Sequence, residues 1–293
     1  MIIVSMGAGL GNQMFEYALI IKLRRLYPEQ EIKADTRYAF PFAHNGIEIF
    51  DIFGISEEAA SKEEVIRLAG RFLLNGEGFE KKGIFSKIVS RMGLHPVTMF
   101  IQKDNTEYYD IIERLDRNKS YYLYGPFANY RYFKDIEKNI RELYRFPEIK
   151  DERNLGYAEH IKNTNSVSIH IRRGDYISLG IPVASKEFYF SAVDIISEKI
   201  MDPVFFVFSD DPGYAKSIFS GRDNYVFVEG NVGTESYRDM QLMSMCRHNI
   251  TANSTFSFWG AFLNGNMEKI VVAPALPFKG KKNAFVCDDW IVI

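Results

Sequence analysis

The chain has 293 residues, of which 46% are hydrophobic and 15% aromatic, a composition typical of a folded protein rather than a disordered one. Its 36 Lys and Arg residues nearly balance 38 Asp and Glu residues, giving a net charge of -2, which excludes a global positive field for binding nucleic acid. Cys246 and Cys287 are too few for a disulfide scaffold and lack the spacing of a zinc site, so we expect a reducing compartment. The length predicts two domains.

The N-terminal half begins with a predicted strand, turn and helix. The apolar run Ile2–Ser5 ends at a glycine cluster, residues 7–11, and apolar residues then recur at helical spacing over 14–26. Pro28 ends this helix, and residues 31–35 read as a second strand. This part of the chain is therefore predicted to open as a βαβ unit.

Residues 57–103 are predicted to form charged helical stretches. Within them, residues 81–92 place apolar side chains on one face and lysines around it, which is typical of a helix packed on its own domain; contact with an anionic membrane is the alternative. A strand at 121–124 and a helix at 129–145 follow. With no secretory leader and no apolar run of ~18 residues, we expect a cytoplasmic protein, with peripheral contact to the inner membrane left open.

The second half alternates short β-type runs with helical patterns, which predicts a parallel sheet. The predicted strands are 167–171, 204–208, 225–228, 248–251 and 270–272, and the predicted helices are 186–200, 212–219, 235–246 and 255–263. A change of pattern near residues 147–165 divides the halves, and we set the boundary at 155/156. The expected fold is α/β with two Rossmann-like domains, 1–155 and 156–293, facing across a cleft.

Ligands of open α/β sheets bind at the carboxyl ends of the strands, so the residues that follow each predicted strand are site candidates. Four groups stand out: Gly7 to Gln13, Arg172 to Tyr176, Ser209 to Pro212, and Asn253 to Ser257. The glycine group lacks the third glycine of a dinucleotide fingerprint, because Asn12 occupies that position. We therefore favour a loop that binds a phosphate or sugar hydroxyl through backbone N–H groups, Asn12 and Gln13, over an NAD site or a tight turn without a ligand.

The group after the strand at 167–171 is the most informative. His170 and Arg172 share one face of an extended chain, whereas Arg173 points to the other and is available to pair with an acid. A guanidinium forms two parallel hydrogen bonds with a phosphate, so Arg172 is a candidate phosphate ligand. The alternatives are a structural ion-pair cluster and, for residues 173–175, an adhesion tripeptide, which the adjoining buried strand argues against.

The remaining groups combine ligand contact with helix capping. Asp210 and Asp211 diverge on an extended chain, so one is expected to meet the ligand while the other caps a helix that begins at Pro212. Asn253, Ser254 and Thr255 precede a second predicted helix, whose N-terminus stabilises an anion. Capping alone is the alternative for both groups.

Taken together, these groups resemble those of the family 11 glycosyltransferases, the α-1,2-fucosyltransferases. The resemblance covers four motifs in order: GLGNQMF at 9–15, HIRRGDY at 170–176, SDDP at 209–212, and residues 246–261. It implies a GT-B fold, GDP-β-L-fucose as donor, a galactoside 2-hydroxyl as acceptor, inversion at the anomeric carbon and no metal requirement. The acceptor is expected to be a glycan or a lipid-linked precursor. At position 16, where the family usually has Gln, this chain has Glu.

The resemblance also implies roles for individual residues. Arg172 would hold the β-phosphate of GDP, Asp239 would bind guanine through its N1–H and N2–H groups, and Asn12 would orient the acceptor hydroxyl or the sugar. Asp175 is the first candidate for the catalytic base, with orientation of an arginine as its alternative. The wider set of candidate donor-binding residues is Gly11, Asn12, His170, Arg172, Asp210, Asp211, Asp239, Asn253, Ser254, Thr255 and Ser257.

Assignment of the domains follows the same resemblance, with 1–155 binding the acceptor and 156–293 binding GDP-fucose. Tyr38, Phe40 and Phe42 are candidates for an apolar platform beneath an acceptor sugar. The competing functions are another GDP-sugar transferase, a protein O-fucosyltransferase, and a nucleotide-binding module without transfer activity.

Overall fold

The computed structural model describes residues 1–37, 45–69, 108–275 and 285–293, and the backbone of 97–101. Two interpretations fall outside these residues: the amphipathic segment 81–92 and the aromatic platform of Tyr38, Phe40 and Phe42. The chain divides into two compact units, Met1–Glu137 and Lys138–Ile293.

The first unit contains a parallel sheet of order β2-β1-β4-β3 among the described residues. Its elements are β1 (Ile2–Ser5), α1 (Leu10–Leu26), β2 (Ile32–Asp35), α2 (Ile49–Phe53), α3 (Lys62–Ala69), β3 (Val97–Ile101) and β4 (Ser120–Tyr124). Strand β1 and the core of α1 are buried, because apolar residues recur at both the strand and the helix spacing.

Two predictions for residues 97–145 are wrong. Residues 97–101 form strand β3 rather than a helical stretch; the run Val-Thr-Met-Phe-Ile follows Pro96 and is rich in residues that favour strands. The predicted helix 129–145 is divided into two 3-10 turns, Tyr130–Tyr132 and Lys134–Ile136, and helix α4 (Glu137–Leu143). The aromatic side chains of Tyr132 and Phe133 are almost fully buried, so packing replaces a regular first helical turn.

The second unit contains a parallel sheet of order β10-β9-β8-β5-β6-β7 in the described part of the chain. Its strands are β5 (Asn165–Ile171), β6 (Pro203–Ser209), β7 (Tyr225–Phe227), β8 (His248–Ile250), β9 (Val271–Ala273) and β10 (Ile291–Val292). Its remaining helices are α5 (Glu152–Lys162), α6 (Gly174–Ser178), α7 (Lys186–Ser197), α8 (Pro212–Phe219), α9 (Tyr237–Met245) and α10 (Thr255–Leu263).

The division between the units falls earlier in the chain than the boundary expected at 155/156. Helix α5, which begins at Glu152, packs against β5 and α9 of the second unit. Residues 138–155 therefore belong with the second unit, and the change of sequence pattern that we used marks a helix start rather than a domain boundary.

The pairing register of the second sheet positions the candidate site. Ile171 lies opposite Ser209 across β5 and β6, so Arg172 and Asp210 leave the two strands side by side. Ile169 pairs with Ile250 on the other side of β5, which brings the start of α10 to the same edge of the sheet. On β5 the apolar residues Val167, Ile169 and Ile171 join the core formed with α7, as strand alternation requires.

Candidate active site

Arg172 lies at the centre of the carboxyl edge of the second sheet. Its Nη2 atom is 2.8 Å from Asp175 Oδ1 and its Nη1 atom is 3.1 Å from Asp210 Oδ2. The guanidinium also lies 5.3 Å from the centre of the Tyr176 ring. Its Nε atom is buried without a hydrogen-bond partner, and a buried unpaired donor is uncommon in folded proteins unless a ligand or water completes it.

Arg173 has different partners, as its position on the opposite face predicts. Its Nε atom donates to Asp211 Oδ2 at 3.2 Å, and its guanidinium stacks 3.7 Å from the centre of the Tyr214 ring. The predicted pairing of Arg173 with an acid is confirmed. Since these contacts are to the start of α8, Arg173 is engaged in holding that helix to the strand end.

The adjacent residues Asp210 and Asp211 make different contacts. Asp211 Oδ1 accepts from the backbone N–H of Tyr214 at 3.0 Å and caps α8, which confirms the capping prediction for one acid of the pair. Asp210 Oδ1 accepts from the backbone N–H of Arg173 at 2.8 Å while its second oxygen pairs with Arg172. A Cβ atom added to Gly174 would lie 2.8 Å from Asp210 Oδ2, so a larger residue at this position would displace the Asp210 carboxylate.

His170 lies on β5, two residues before Arg172, and is buried, with 6% of its surface exposed. Burial, and secondarily the charge of Arg172, lowers the pKa of His170 to about 3, so its imidazole is neutral near pH 7. Its Nδ1 atom is buried and unpaired. A neutral imidazole offers one donor and one acceptor, so His170 is suited to a polar contact but not to balancing the charge of a phosphate.

The start of α10 provides backbone N–H groups at the same edge. Its N-cap residue, Ser254, makes no capping hydrogen bond with its side chain. Asn253 Nδ2 donates to the carbonyl of Pro182 at 3.3 Å, and Thr255 is half-buried. The N-terminus of α10 can therefore offer its first-turn N–H groups and the positive end of the helix dipole to an anion.

Ser257 does not fit the role of a ligand contact. It is 1% exposed, and its hydroxyl accepts from the backbone N–H of Ala252 at 2.8 Å. The residue lies on the inner side of the first turn of α10, so it closes the loop before the helix. Our expectation of a donor contact at Ser257 is corrected to a structural role.

Asp239 lies in the first turn of α9. Burial raises its pKa to about 7, and a hydrogen bond from Asn231 and the charge of Arg153 oppose this shift. Asn231 Nδ2 donates to Asp239 Oδ1 at 2.8 Å. The carboxyl group is therefore poised between its two protonation states near neutral pH.

In the first unit, the glycine loop is organised by buried side chains. Gln13 is fully buried; its Nε2 atom donates to the carbonyls of Ala8 and Gly46, both at 2.8 Å, and its Oε1 atom accepts from the Glu48 N–H at 2.9 Å. These contacts use its polar atoms, so the expected ligand contact at Gln13 is wrong. Ala8 takes a positive φ of 56°, and the carbonyl that it directs to Gln13 fixes the loop.

Glu16 also supports this loop from within. It is 5% exposed, and its Oε2 atom accepts from the Gly7 N–H at 2.8 Å; burial raises its pKa well above the usual range. Gly11 is buried in the first turn of α1, while Asn12 in the same turn is partly exposed. Asn12 therefore remains the candidate for ligand contact on this loop.

Asp35, at the end of β2, lies at roughly the sequence distance from the glycine turn where a dinucleotide site has its ribose-binding acid, but its contacts argue further against such a site. It is fully buried and accepts from Arg37 Nε at 2.9 Å and from the Tyr122 hydroxyl at 2.9 Å. A ribose would have to displace both partners. In the described ranges, no group of three or more His, Cys, Asp or Glu side chains is arranged to hold a metal ion, and the metal-free reaction stays a prediction.

Sequence reasoning missed the partners of Asp239. Asn231 follows β7 by a few residues, so the rule that led to Arg172 and Asp210 applies to it equally; the signal was present in Gly230-Asn231. Asn154 and Arg153 carry no such signal, because they lie on α5, far away in sequence.

The chain is similar to known glycosyltransferases in family profile, sequence and fold. The profile of glycosyl transferase family 11 matches residues 102–293. The O-antigen biosynthesis glycosyltransferase WbnK of Escherichia coli is 32% identical over 98% of each chain. An alpha-1,2-colitosyltransferase of E. coli is 31% identical over 97% of this chain and 95% of that protein, and the mouse galactoside 2-alpha-L-fucosyltransferase Sec1 is 30% identical over 43% of this chain and 38% of its own.

Among solved structures, fucosyltransferase NodZ from Bradyrhizobium aligns with a TM-score of 0.52 at 13% identity, covering 88% of this chain and 90% of that one. NodZ alpha-1,6-fucosyltransferase co-crystallised with GDP gives the same TM-score at 14% identity, covering 88% of this chain and 91% of that one. At these identities the likeness concerns the fold, which is of GT-B type with two Rossmann-like units.

Proposed function

We propose that this chain, which belongs to glycosyltransferase family 11, transfers L-fucose from GDP-β-L-fucose to the 2-hydroxyl of a galactoside. The proposed reaction inverts the anomeric carbon and needs no metal ion. Membership of the family makes the chain a glycosyltransferase; the donor, the acceptor and the stereochemistry are our proposals. The acceptor that we propose is a glycan or a lipid-linked precursor.

One observation carries the proposal, namely the environment of Arg172. Two carboxylates hold the guanidinium at the end of β5, and its Nε atom is buried without a partner. This arrangement fixes the direction of a charged donor before any ligand binds, which is what stabilises charge that develops in a transition state. We assign the donor's β-phosphate to Arg172.

The departing GDP would gain further stabilisation from backbone dipoles. The N-terminus of α10 reaches the same sheet edge as Arg172 through the pairing of β5 with β8. Its N–H groups and positive dipole favour the charge that accumulates as the glycosidic bond to the diphosphate breaks. Asp239 is assigned to guanine, whose N1–H and N2–H groups both donate to a carboxylate.

For the acceptor side, Asn12 is the residue that we assign to the hydroxyl or the sugar. We assign Asp175 to orientation of Arg172, because its Oδ1 atom lies 2.8 Å from the guanidinium. The acceptor oxygen would attack the anomeric carbon from the face opposite to GDP and lose its proton to solvent or to a base outside these assignments.

A second donor is favoured by a specific observation. The alpha-1,2-colitosyltransferase of E. coli matches nearly the whole chain, and colitose is fucose without its 3-hydroxyl. Arg172 and Asp239 are assigned to phosphate and guanine, which both donors share. The choice between the two sugars therefore depends on contacts to the 3-hydroxyl.

Donor competition tests the proposal. Purified protein is incubated with a β-galactoside and with GDP-fucose, GDP-colitose, GDP-mannose or UDP-galactose, and release of nucleotide is measured with and without acceptor. We expect acceptor-dependent release with GDP-fucose. Activity with GDP-colitose alone would select the second donor, and activity with UDP-galactose alone would overturn the assignment of Asp239.

A further inference from the structure

Two asparagine side chains connect helix α5 to the candidate guanine-binding acid. Asn231 Nδ2 donates to Asp239 Oδ1 at 2.8 Å and to Asn154 Oδ1 at 3.0 Å. Asn231 Oδ1 in turn accepts from Asn154 Nδ2 at 2.8 Å and from Arg153 Nη2 at 3.2 Å. Both asparagines are buried, at 8% and 2% exposure. Every hydrogen-bonding position of the Asn231 amide is therefore used.

The orientation of the two amide groups is fixed by Arg153 and Asp151, at the end of the network away from Asp239. A guanidinium can only donate, so the atom of Asn231 that faces Arg153 must be its oxygen. Asp151 Oδ2 accepts from Asn154 Nδ2 at 3.1 Å, so the nitrogen of Asn154 must face that carboxylate. With both ends fixed, the nitrogen of Asn231 must point at Asp239, and a flipped amide would place two acceptors against each other.

The backbone conformation at Gly230 leaves room for the Arg153 guanidinium beside Asn231. Gly230 has a φ of 96°, a conformation that favours glycine, and a Cβ atom there would collide with the Arg153 guanidinium. The neighbouring charged residues in sequence, Glu235 in the turn before α9 and Arg238 within α9, pair with each other at 3.5 Å. Arg153 on α5 is thus the charge that acts on Asp239 from a neighbouring helix.

We propose that Asn231, oriented by Asn154 and Arg153, is a positioning residue that directs the Asp239 carboxylate at the guanine of the donor. The inference rests on the proposed function, in which Asp239 reads guanine. The amide donor occupies one side of Oδ1, and the remaining lone pairs accept the two guanine donors. Adenine has no donor at the corresponding ring nitrogen, so the network contributes to selection of the base.

The test is calorimetric titration of GDP against Asn231→Asp between about pH 6 and pH 9. The substitution keeps the shape but replaces the donor with an acceptor. We expect a GDP dissociation constant raised about tenfold or more at neutral pH, and a midpoint of the pH dependence shifted upward. Asn224→Asp is the matched control: Asn224 lies at the other end of β7, exposed, and donates to the Pro203 carbonyl at 3.0 Å.

A second pair of variants covers the case in which Asn231→Asp does not fold. Arg153 is exposed, so Arg153→Met should fold, and it is expected to shift the pH midpoint upward, whereas Arg153→Lys restores most of it by keeping a positive donor. If the wild type binds GDP and neither the midpoint nor the affinity moves in these variants, the positioning role is wrong while the proposed function stands. If the wild type does not bind GDP at all, the proposed function itself is overturned.

Discussion

Arg172 and Arg173 are neighbours in sequence that contact different parts of the molecule. Arg172 has an unpaired buried Nε atom at the sheet edge, whereas Arg173 pairs with Asp211 and stacks on Tyr214. We expect Arg172→Ala to lower kcat by roughly 10² to 10³, the scale for loss of one preorganised donor. Arg173→Ala is expected to act mainly by lowering the melting temperature.

The measurement is steady-state kinetics together with thermal unfolding of both variants. Arg172→Ala should unfold near the wild-type temperature. Equal losses of kcat in two variants of unchanged stability would contradict the separation of the two arginines.

Asp239 leads to a prediction for the pH dependence of nucleotide binding. Burial raises its pKa to about 7 in the free protein, and guanine's two donors require the ionised form. GDP affinity should therefore rise with pH and level off above about pH 8, and below about pH 7 it should fall toward tenfold per pH unit. Titration calorimetry across this range measures the profile.

The variant Asp239→Asn provides the comparison. Its single oxygen would be held by the Asn231 amide, so its NH₂ group would face the guanine donors. We expect affinity for GDP at pH 8 to fall by about tenfold or more, a profile without the step near pH 7, and little change in melting temperature. An unchanged profile in this variant would remove Asp239 from the site.

At the scale of secondary-structure elements, the junction of β1 and α1 depends on a buried acid. Glu16 accepts from the Gly7 N–H, and burial raises its pKa. The folded state therefore favours protonated Glu16, so the stability contribution of this group is full at pH values below its unfolded pKa and is lost as pH rises toward its folded pKa. Glu16→Gln keeps an acceptor oxygen without a charge.

We accordingly expect Glu16→Gln to raise the melting temperature, by about 2 °C or more per ~1 kcal/mol recovered, with a larger gain at pH 8 than at pH 5. Thermal unfolding at both values measures it. A lower melting temperature at pH 8 would show that the ionised side chain is needed by the glycine loop.

How far the elements could be predicted depends on the local signals at their ends. Helices α8 and α10 have the predicted bounds, because Asp-Asp-Pro and Asn-Ser-Thr define where each begins. The segment 129–145 lacked such signals, and burial of its aromatic side chains decided its shape. Strand β3 was missed because its short apolar run lies next to a charged segment.

The sequence predicts those residues of the candidate site that come directly after a strand. Arg172 and Asp210 come together because their strands are paired in register, and the strand-end rule anticipates this. Asn231 and Asn154 are 77 residues apart, and hydrogen bonds between buried amides of separate elements leave no periodicity in the sequence. Gln13 and Ser257 were misassigned because exposure cannot be read from residue type.

At the scale of the whole molecule, Cys246 and Cys287 are both buried, and no described helix has the length and apolar character required to cross a bilayer. In the proposed reaction, Arg172 and the N-terminus of α10 stabilise the negative charge of the departing GDP. We therefore expect turnover to survive EDTA. Restoration of a chelated, inactive enzyme by Mn²⁺ would contradict this and return Asp210 and Asp211 to consideration as metal ligands.

The most direct test of the central claim is the linkage of the product. The protein is incubated with GDP-fucose and a panel of galactosides, and the purified product is analysed by NMR. We predict one fucose in α-configuration on the 2-hydroxyl of a terminal galactose, formed with inversion from the β-linked donor. A product with a different linkage position or with retained β-configuration would contradict the account.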